Sequence, residues 1–497
     1  MNLNLFLPVN LVIEHIGDLA IDIDSISYDS RRALPGSLFI AIRGTKTDGN
    51  NYIEAARHAG SVALATDDSG AYLRYRSVFK TAVLASDVRM FLAAASAMFF
   101  GNPSQKLKIV GVTGTNGKTT TTQLMYDVLR RSNVKSGVVG TIGCEIDGRY
   151  CEINNTTPES IDLNKIFYDM SRSGIEVCCC EVSSHSIHFN RVAFIEFSIV
   201  VFTNLTQDHL DFHSDMDDYF RCKSSIFFDK DRFRVKRSLI NIDDEYGKRI
   251  YEGLKNDAYS LSLSGKADFM ADNISLDENG FYATFNIAGR KFNVNSRLKG
   301  KFNIYNALAA AASLSILGYD PERICEKLGN ADYIPGRFEP VDTSHGFMVI
   351  VDYAHTPDGL LNAIRTARSI AKGRVITVFG CGGNRDRLKR PIMGRTSGEL
   401  SDYTVITSDN PRYEMPGDII REIEQGIREV TCDYIVVEDR RSAIEEALKI
   451  AGNGDIVLIA GKGHEKTQQI RDERLPFDDK LVAAEELAKI YADKERT

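Results

Sequence analysis

The sequence predicts an α/β protein of three domains, with a parallel-sheet domain at the centre and a doubly wound, Rossmann-like domain at the C-terminal end. Three observations predict it. Apolar runs of strand length alternate with helical stretches, most regularly beyond residue 335, and that alternation produces parallel sheets. A glycine-rich turn follows one apolar strand and opens a helix within residues 108–120, which is the setting of a phosphate-binding loop, or P-loop. The chain has 497 residues, enough for three domains at ~100–200 residues each.

Near the start, a Pro35-Gly36 turn precedes Ser37-Leu38-Phe39-Ile40-Ala41-Ile42, an apolar run that reads as a strand. Asn102-Pro103-Ser104 punctuates the chain and marks a first boundary. The next unit opens with a strand at 108–113, the glycine-rich turn and a helix from near Lys118; residues 177–181 and 197–202 read as further buried strands. Ile334-Pro335-Gly336 marks a second boundary. Beyond it, candidate strands at 347–351, 374–379, 403–407, 434–437 and 456–459 have helical stretches between most of them, the pattern of a doubly wound domain. The expected domains are therefore 1–103, 104–334 and 335–497.

Composition narrows the function. Hydrophobic residues are 43% and charged residues 26%, as in a globular chain with a sizeable core. A net charge of −7 argues against a general nucleic-acid or membrane-surface binder, which carries a basic excess. No apolar run reaches the ~18 residues of a membrane span. Residues 1–10 contain no positive segment, so a secretory signal is not expected. Nine cysteines without C-x-x-C spacing indicate neither a zinc site nor a redox motif, and Cys178, Cys179 and Cys180 read as buried strand thiols. A cytoplasmic protein is expected.

The chemistry concentrates at strand ends. In Gly111-Val112-Thr113-Gly114-Thr115-Asn116-Gly117-Lys118-Thr119-Thr120, glycines let backbone amides approach phosphates and the helix N-terminus favours negative charge. Lys118 reaches the outer phosphates and Thr119 can ligate Mg²⁺. The common pattern has glycine where Val112 stands. A structural turn would explain the glycines, but not the lysine and two threonines in register with them. Glu181 ends an apolar strand in Glu181-Val182-Ser183-Ser184-His185, where an acid can face a nucleotide-bound metal; a helix cap or a solvated acid is the plainer alternative. Thr203-Asn204-Leu205-Thr206-Gln207-Asp208-His209-Leu210-Asp211-Phe212-His213 is a second cluster of this kind, and a capped helix start is its plainer reading. The last domain adds four polar segments: Asp352-Tyr353-Ala354-His355, Gly380-Cys381-Gly382-Gly383-Asn384-Arg385-Asp386, Asp409-Asn410-Pro411-Arg412 and Gly461-Lys462-Gly463-His464-Glu465. Singly each would be solvated surface; four at one sheet edge predict a site.

These residues resemble the Mur ligase family of peptidoglycan-precursor synthesis over essentially the whole chain. Further carriers of the likeness are Asp29-Ser30-Arg31, Asn155-Thr156-Thr157-Pro158, Phe302-Asn303-Ile304-Tyr305-Asn306 and Pro335-Gly336-Arg337-Phe338-Glu339. The resemblance implies an ATP-dependent ligase that activates a carboxylate as an acyl phosphate and couples it to an amino acid. Its nearest branch adds a diamino acid to UDP-N-acetylmuramoyl-L-alanyl-D-glutamate.

The resemblance also implies site residues. Tyr28, Ser30, Thr45, Lys46 and Thr47 would lie at the uridine end, and Asn155, Thr156, Thr157, Ser183 and Arg191 at the muramoyl-peptide end. Phe189 stands where a relative can carry glutamine, which removes one polar contact. Gly114, Thr115, Asn116, Gly117, Lys118, Thr119 and Thr120 would hold the ATP phosphates. Asn303, Arg337 and Asp352 match positions that touch adenine or ribose, with His355 near them. Thr119 and Glu181 would hold one Mg²⁺. His209 and Lys223, the latter carbamylated by CO₂, would support a second. Catalysis would fall to Lys118, Glu181, His209 and Lys223.

Arg385, Asp409, Asn410, Pro411, Arg412, Gly461 and Glu465 would receive the amino acid. By the resemblance, Arg412 occupies the position where diaminopimelate-adding relatives carry arginine, which implies meso-diaminopimelate; a planar guanidinium binds a carboxylate through two hydrogen bonds and repels a bare ammonium. The alternative for Arg412 is a surface pair with Glu414, and Met415 departs from the acid often found there. A monomer is expected, with no nucleic-acid or membrane partner. The competing readings are L-lysine as the amino acid, a folylpolyglutamate-synthetase-like ligase, and a non-catalytic nucleotide-binding scaffold.

Overall fold

The computed structural model describes residues 1–44, 47–255, 257–343, 345–430 and 433–494. The chain forms two compact units: residues 1–113, 133–201 and 222–238 make one, and residues 114–132, 202–221 and 239–497 the other. No helix among the described residues is long and apolar enough to cross a membrane.

The first unit opens with a five-stranded sheet. Its order is Val12–Gly17, Thr81–Ala85, Ala63–Thr66, Ser37–Ile40, Ser25–Ser27, all parallel except the first strand. Strand periodicity sends successive side chains to opposite faces. Leu38 and Ile40 therefore join Phe91 and Leu92 of the helix Val88–Phe99, while Phe39 joins Ile53 and Tyr72 on the other side. The expected strand to Ile42 stops at Ile40.

The same unit holds Lys108–Thr113, Val177–Glu181 and Ser136–Gly140 as parallel neighbours, followed by the antiparallel strands Gly143–Ile146 and Arg149–Cys151. Cys178, Cys179 and Cys180 are buried in the middle strand, and burial pushes their thiols far above the ordinary range. The expected strand over 197–202 is broken. Glu196–Phe197 and Ile199–Phe202 are separate, because Ser198 turns its amide to the Ile109 carbonyl.

In the second unit, Tyr259–Ser262 and Phe269–Asp277 run parallel, and Gly280–Ile287 and Arg290–Ser296 extend the sheet as antiparallel strands. The C-terminal sheet has the order Glu339–Val341, Met348–Asp352, Ile456–Ala460, Val375–Phe379, Tyr403–Ile406, Asp433–Val436. Only the first pairing is antiparallel. Ile350, Phe379 and Leu458 face the helices Pro357–Ile370, Lys389–Leu400 and Pro416–Ile427; Val349, Val351 and Ile459 face Arg440–Ile450 and Asp479–Lys494. Apolar residues on both faces make the strands continuous hydrophobic runs, which is why they are readable in the sequence.

Two charges lie inside this sheet's second layer. Arg440 and Asp479 are both wholly buried and paired at 2.7 Å, and Arg440 also donates to the Ala460 carbonyl at 3.0 Å. Arg440→Ala strips the partner from a buried carboxylate, a loss of about 3–5 kcal/mol. A markedly lower melting temperature is expected, and an unchanged melt would show that Asp479 finds another partner.

Candidate active site

The phosphate loop is built as its sequence requires. The strand Lys108–Thr113 enters residues 114–117, and the helix Lys118–Arg131 starts at Lys118. Gly114 has φ +148°, and a Cβ there would run into Thr203 Oγ1 and the Asn204 backbone. The tight fit comes from a clasp. Thr115 donates its amide to the Asn204 carbonyl at 2.9 Å, Asn116 its amide to Asn204 Oδ1 at 2.9 Å, and Thr203 its hydroxyl to the Asn116 carbonyl at 2.6 Å. Gly117 ends the loop at φ +86°, and Thr120 is buried in the helix's first turn. Lys118 Nζ lies back along the loop, donating to the carbonyls of Gly114 at 2.9 Å and Thr115 at 2.8 Å. The Thr119 hydroxyl accepts from Arg337 at 2.9 Å. Cation, hydroxyl and helix N-terminus thus converge where a phosphate would sit.

Arg337 also lies over the Tyr353 ring at 4.3 Å. Asp352 accepts the amides of Phe338 at 2.6 Å and Ala354 at 2.8 Å, and burial pushes its carboxyl up to about 6. Asn303 is buried and turned inward, donating to the Lys299 carbonyl and accepting from Asn306. His355 holds the Tyr353 carbonyl through Nδ1 at 2.8 Å.

Beside them Asp208 is the centre of a charge cluster. Lys389 Nζ is 3.5 Å from it, His209 Nε2 3.4 Å and His355 Nε2 4.0 Å. Burial opposes its charge, but His209, Lys389 and His355 outweigh burial and hold the carboxyl below its usual range. Burial, reinforced by Lys389, pushes His355 down to about 4 from 6.5. A depressed histidine stabilises the fold fully above its unfolded value of 6.5 and loses that contribution as pH falls toward about 4. The expected result is a His355 ring that stays neutral at pH 6 in an NMR titration, and a His355→Gln variant whose stability falls less than the wild type's between pH 6.5 and 4. A ring titrating at the ordinary value would overturn this.

In the first unit Glu181 is buried, with 1% exposure, at the end of its strand. Its carboxylate accepts the Thr141 amide at 2.7 Å and hydroxyl at 3.0 Å, so it is neither a helix cap nor a solvated acid. Thr156 approaches the Thr141 hydroxyl at 3.1 Å. Thr157 donates to the Glu181 carbonyl at 2.8 Å and accepts from the Ser183 amide at 3.2 Å, and Arg191 donates to the Thr157 carbonyl at 3.2 Å. Asn155 is exposed on the same loop. Five of the expected peptide-end residues are thereby gathered around one strand end. Two guanidinium groups lie over the Phe189 ring, Arg89 at 4.5 Å and Arg191 at 5.7 Å from its centroid.

At the expected uridine end, Tyr28 donates to Asp162 at 3.0 Å, and Arg32 pairs with the same carboxylate at 2.8 Å. Ser30 begins a short turn capped by Asp29. Thr47 is tied to Gly44 through its carbonyl. Thr45 and Lys46 lie outside the described residues.

Of the expected metal ligands, Thr119 and His209 belong to one unit and Glu181 and Lys223 to the other. His209 has φ +56°, a left-handed backbone that few residues other than glycine and asparagine adopt readily. Lys223 is 1% exposed on the helix Met216–Phe228. Among the described residues, no group of three or more His, Cys, Asp or Glu is arranged to hold a metal ion by itself.

The four C-terminal segments do meet, and Arg412 sits in their midst at φ +51°. Its guanidinium donates to the Gly383 carbonyl at 2.7 Å. Glu414 is taken by Arg390 at 2.9 Å, so a surface pair with Arg412 is not what forms. Burial and nearby Arg385 push the Arg412 guanidinium below its usual range. Asp409 is buried and accepts the Asn410 amide at 2.6 Å. Asn410 donates to Glu465 at 2.8 Å. Pro411 is buried between them, and Arg385 lies 3.8 Å from Asp211.

Sequence reasoning missed three paired cations: in the first unit the half-buried Arg89 near Glu159 at 3.5 Å, and in the second the buried Lys389 beside Asp208 and Arg390 between Glu414 and Glu422. The Lys389-Arg390 pair directly follows a polar loop at a helix start, and that position is the one signal the sequence offers.

Comparison with known proteins agrees with this geometry. Family models described as Mur ligase family, catalytic domain, Mur ligase middle domain, and Mur ligase, glutamate ligase domain match residues 22–98, 112–314 and 336–463. UDP-N-acetylmuramoyl-L-alanyl-D-glutamate–2,6-diaminopimelate ligase 1 of Clostridium acetobutylicum is 42% identical over 477 residues, 96% of this chain and 97% of that protein. The corresponding ligase of Caldanaerobacter subterraneus is 43% identical over 472 residues, 95% and 96% of the two chains. A solved structure of a UDP-N-acetylmuramoyl-L-alanyl-D-glutamate–2,6-diaminopimelate ligase superposes with a TM-score of 0.66 at 29% identity, covering 94% of this chain and 95% of that one. With a phosphate loop, a strand-end acid and four convergent C-terminal loops each in place, the chain belongs to the Mur ligase family.

Proposed function

We propose that this chain is the ATP-dependent ligase that adds meso-diaminopimelate to UDP-N-acetylmuramoyl-L-alanyl-D-glutamate, releasing ADP and phosphate, in peptidoglycan-precursor synthesis. The observation that carries the amino-acid assignment is Arg412. It is half-buried among four strand-end loops, and its guanidinium meets a carbonyl rather than a carboxylate, so its charge stays available to an incoming carboxylate. The domains are placed at 1–103 for the uridine end, 104–334 for ATP and 335–497 for the amino acid, and the protein is read as a cytoplasmic monomer.

In the reaction the substrate carboxylate attacks the γ-phosphorus, the bond to ADP breaks, and an acyl phosphate forms. The neutral amine then attacks the acyl carbon, phosphate leaves, and the amine's proton passes to solvent. Lys118 and the loop amides neutralise the charge on the transferring phosphoryl group. Thr119 and Glu181 would hold one Mg²⁺, with His209 and carbamylated Lys223 at a second. The metal, when bound, screens phosphate charge. A carbamate suits Lys223, since a buried ammonium is costly and carbamylation replaces it with an oxygen donor. Positioning two anions that repel each other is the larger part of the task.

The test is phosphate release that requires both the UDP-muramoyl-dipeptide and an amino acid, with diaminopimelate and L-lysine in direct competition. Release with a folate acceptor, or none with either amino acid, would overturn the assignment.

A further inference from the structure

Lys462 is fully buried, and every acceptor it meets belongs to the loops assigned to the amino acid or the strand that follows them. Its Nζ donates to Glu465 Oε2 at 3.0 Å, to Asn410 Oδ1 at 3.2 Å and to the Thr467 carbonyl at 2.7 Å. An ammonium has three protons, and each is spent here. Asn410 is tied into the same joint. Its oxygen also accepts the Gln469 amide at 2.8 Å, and its nitrogen donates to the same Glu465 oxygen at 2.8 Å. One interior cation thus joins the loop of residues 409–412 to the loop of residues 461–465. The joint is close-packed. Gly461 has φ +118°, and a Cβ there would strike Asp409 Oδ2. The Arg412 backbone is tied to the same strip, its amide donating to the Gln469 carbonyl at 3.1 Å.

The charge balance of the pocket follows from this. Asp409 and Glu465 contribute two anions to its wall, and Arg412 and Arg385 two cations. Lys462 stands behind Glu465 and offsets its charge from the protein side. An amino acid whose far end carries both a carboxylate and an ammonium is neutral there, whereas one ending in a lone ammonium is positive. Adding a net negative charge to the wall therefore favours the second relative to the first.

We propose that Lys462 is a positioning residue that sets amino-acid selectivity without touching the substrate: it fixes Glu465 and Asn410 and cancels the Glu465 charge, so that the pocket prefers a zwitterionic end to a bare ammonium. The inference rests on the diaminopimelate reading above.

The test uses the full-length enzyme and three variants. Lys462→Gln keeps hydrogen-bond donors without charge, Lys462→Met fills similar volume without polarity, and Lys462→Arg keeps the charge. KM and kcat are measured separately for meso-diaminopimelate, L-lysine and ATP, with a thermal melt for each protein. Lys462→Gln and Lys462→Met are expected to raise the KM for diaminopimelate by about tenfold or more and to lower the diaminopimelate-to-lysine ratio of kcat/KM by a similar factor. The KM for ATP should stay within about twofold, and Lys462→Arg should restore most of the ratio. A uniform loss toward both amino acids and ATP, or an unchanged ratio in an active uncharged variant, overturns the proposal and leaves Lys462 a structural residue. A wild-type enzyme that does not use diaminopimelate would instead overturn the reading beneath it, and that outcome is visible before any variant is made.

Discussion

Lys118→Ala is expected to lose phosphate release by about 10²–10³-fold or more, with the loss in kcat rather than in folding. The phosphate loop offers one side-chain cation among its residues 114–120. Its Nζ lies on the carbonyls of Gly114 and Thr115, so it is poised over the loop rather than packed into the core. Half-buried as it is, its removal leaves little cavity, and the melting temperature should hardly move. What is lost is charge at the place where the transferring phosphoryl group develops it. Lys118→Arg should recover only part of the activity, because the guanidinium is wider than the ammonium and the clasp of Thr203 and Asn204 leaves the loop no slack. Near-normal phosphate release by Lys118→Ala would show that the loop's amides suffice and that the lysine is incidental.

What could be read from the sequence has a physical pattern. The strands of the C-terminal sheet were legible because both faces are covered, which turns each into an unbroken apolar run; Val375–Phe379 and Ile456–Ala460 fall within one residue of the expected spans. The break between Phe197 and Ile199 was not legible, since it depends on where the Ser198 amide finds a partner, and no local pattern records that. The antiparallel hairpin Gly143–Ile146 and Arg149–Cys151 is too short and too exposed to stand out. In the candidate site, glycines and a lysine at a strand-to-helix turn announce themselves. Buried cations do not. Lys389, Arg390, Arg440 and Lys462 look like solvated surface in a sequence, because lysine and arginine are almost never interior unless paired. Their partners, Asp208, Glu414, Asp479 and Glu465, lie from 3 to 181 positions away in the chain. For all but Lys462, only the fold brings the pair together.

Arg412→Ala is expected to cut kcat/KM for meso-diaminopimelate by orders of magnitude while the KM for ATP changes little. Removing the charged partner of a buried carboxylate costs on the order of 2–5 kcal/mol, roughly thirty-fold to several-thousand-fold in kcat/KM. The structure favours a real loss over a neutral one for a specific reason. Asn410 and Pro411 fix the turn, the Arg412 backbone is bonded on both sides to the strip at Gln469 and Arg471, and its guanidinium is already steered inward by the Gly383 carbonyl. A side chain so constrained has surrendered most of its rotamer entropy before the substrate arrives, which is what makes a charged contact worth its full strength. Glu414 provides the control. It is held by Arg390, not by Arg412, so loss of Arg412 should not release a carboxylate into the pocket. Arg412→Lys keeps the charge but not the planar fork, and should recover much less than half of the lost transition-state energy. L-lysine lacks the distal carboxylate, so its use should be far less impaired by Arg412→Ala, and the two amino acids should converge in a competition assay. Should both fall together, Arg412 would be holding the loop rather than reading the substrate; should the wild-type enzyme prefer L-lysine from the start, the guanidinium would have another task and the diaminopimelate assignment would be wrong.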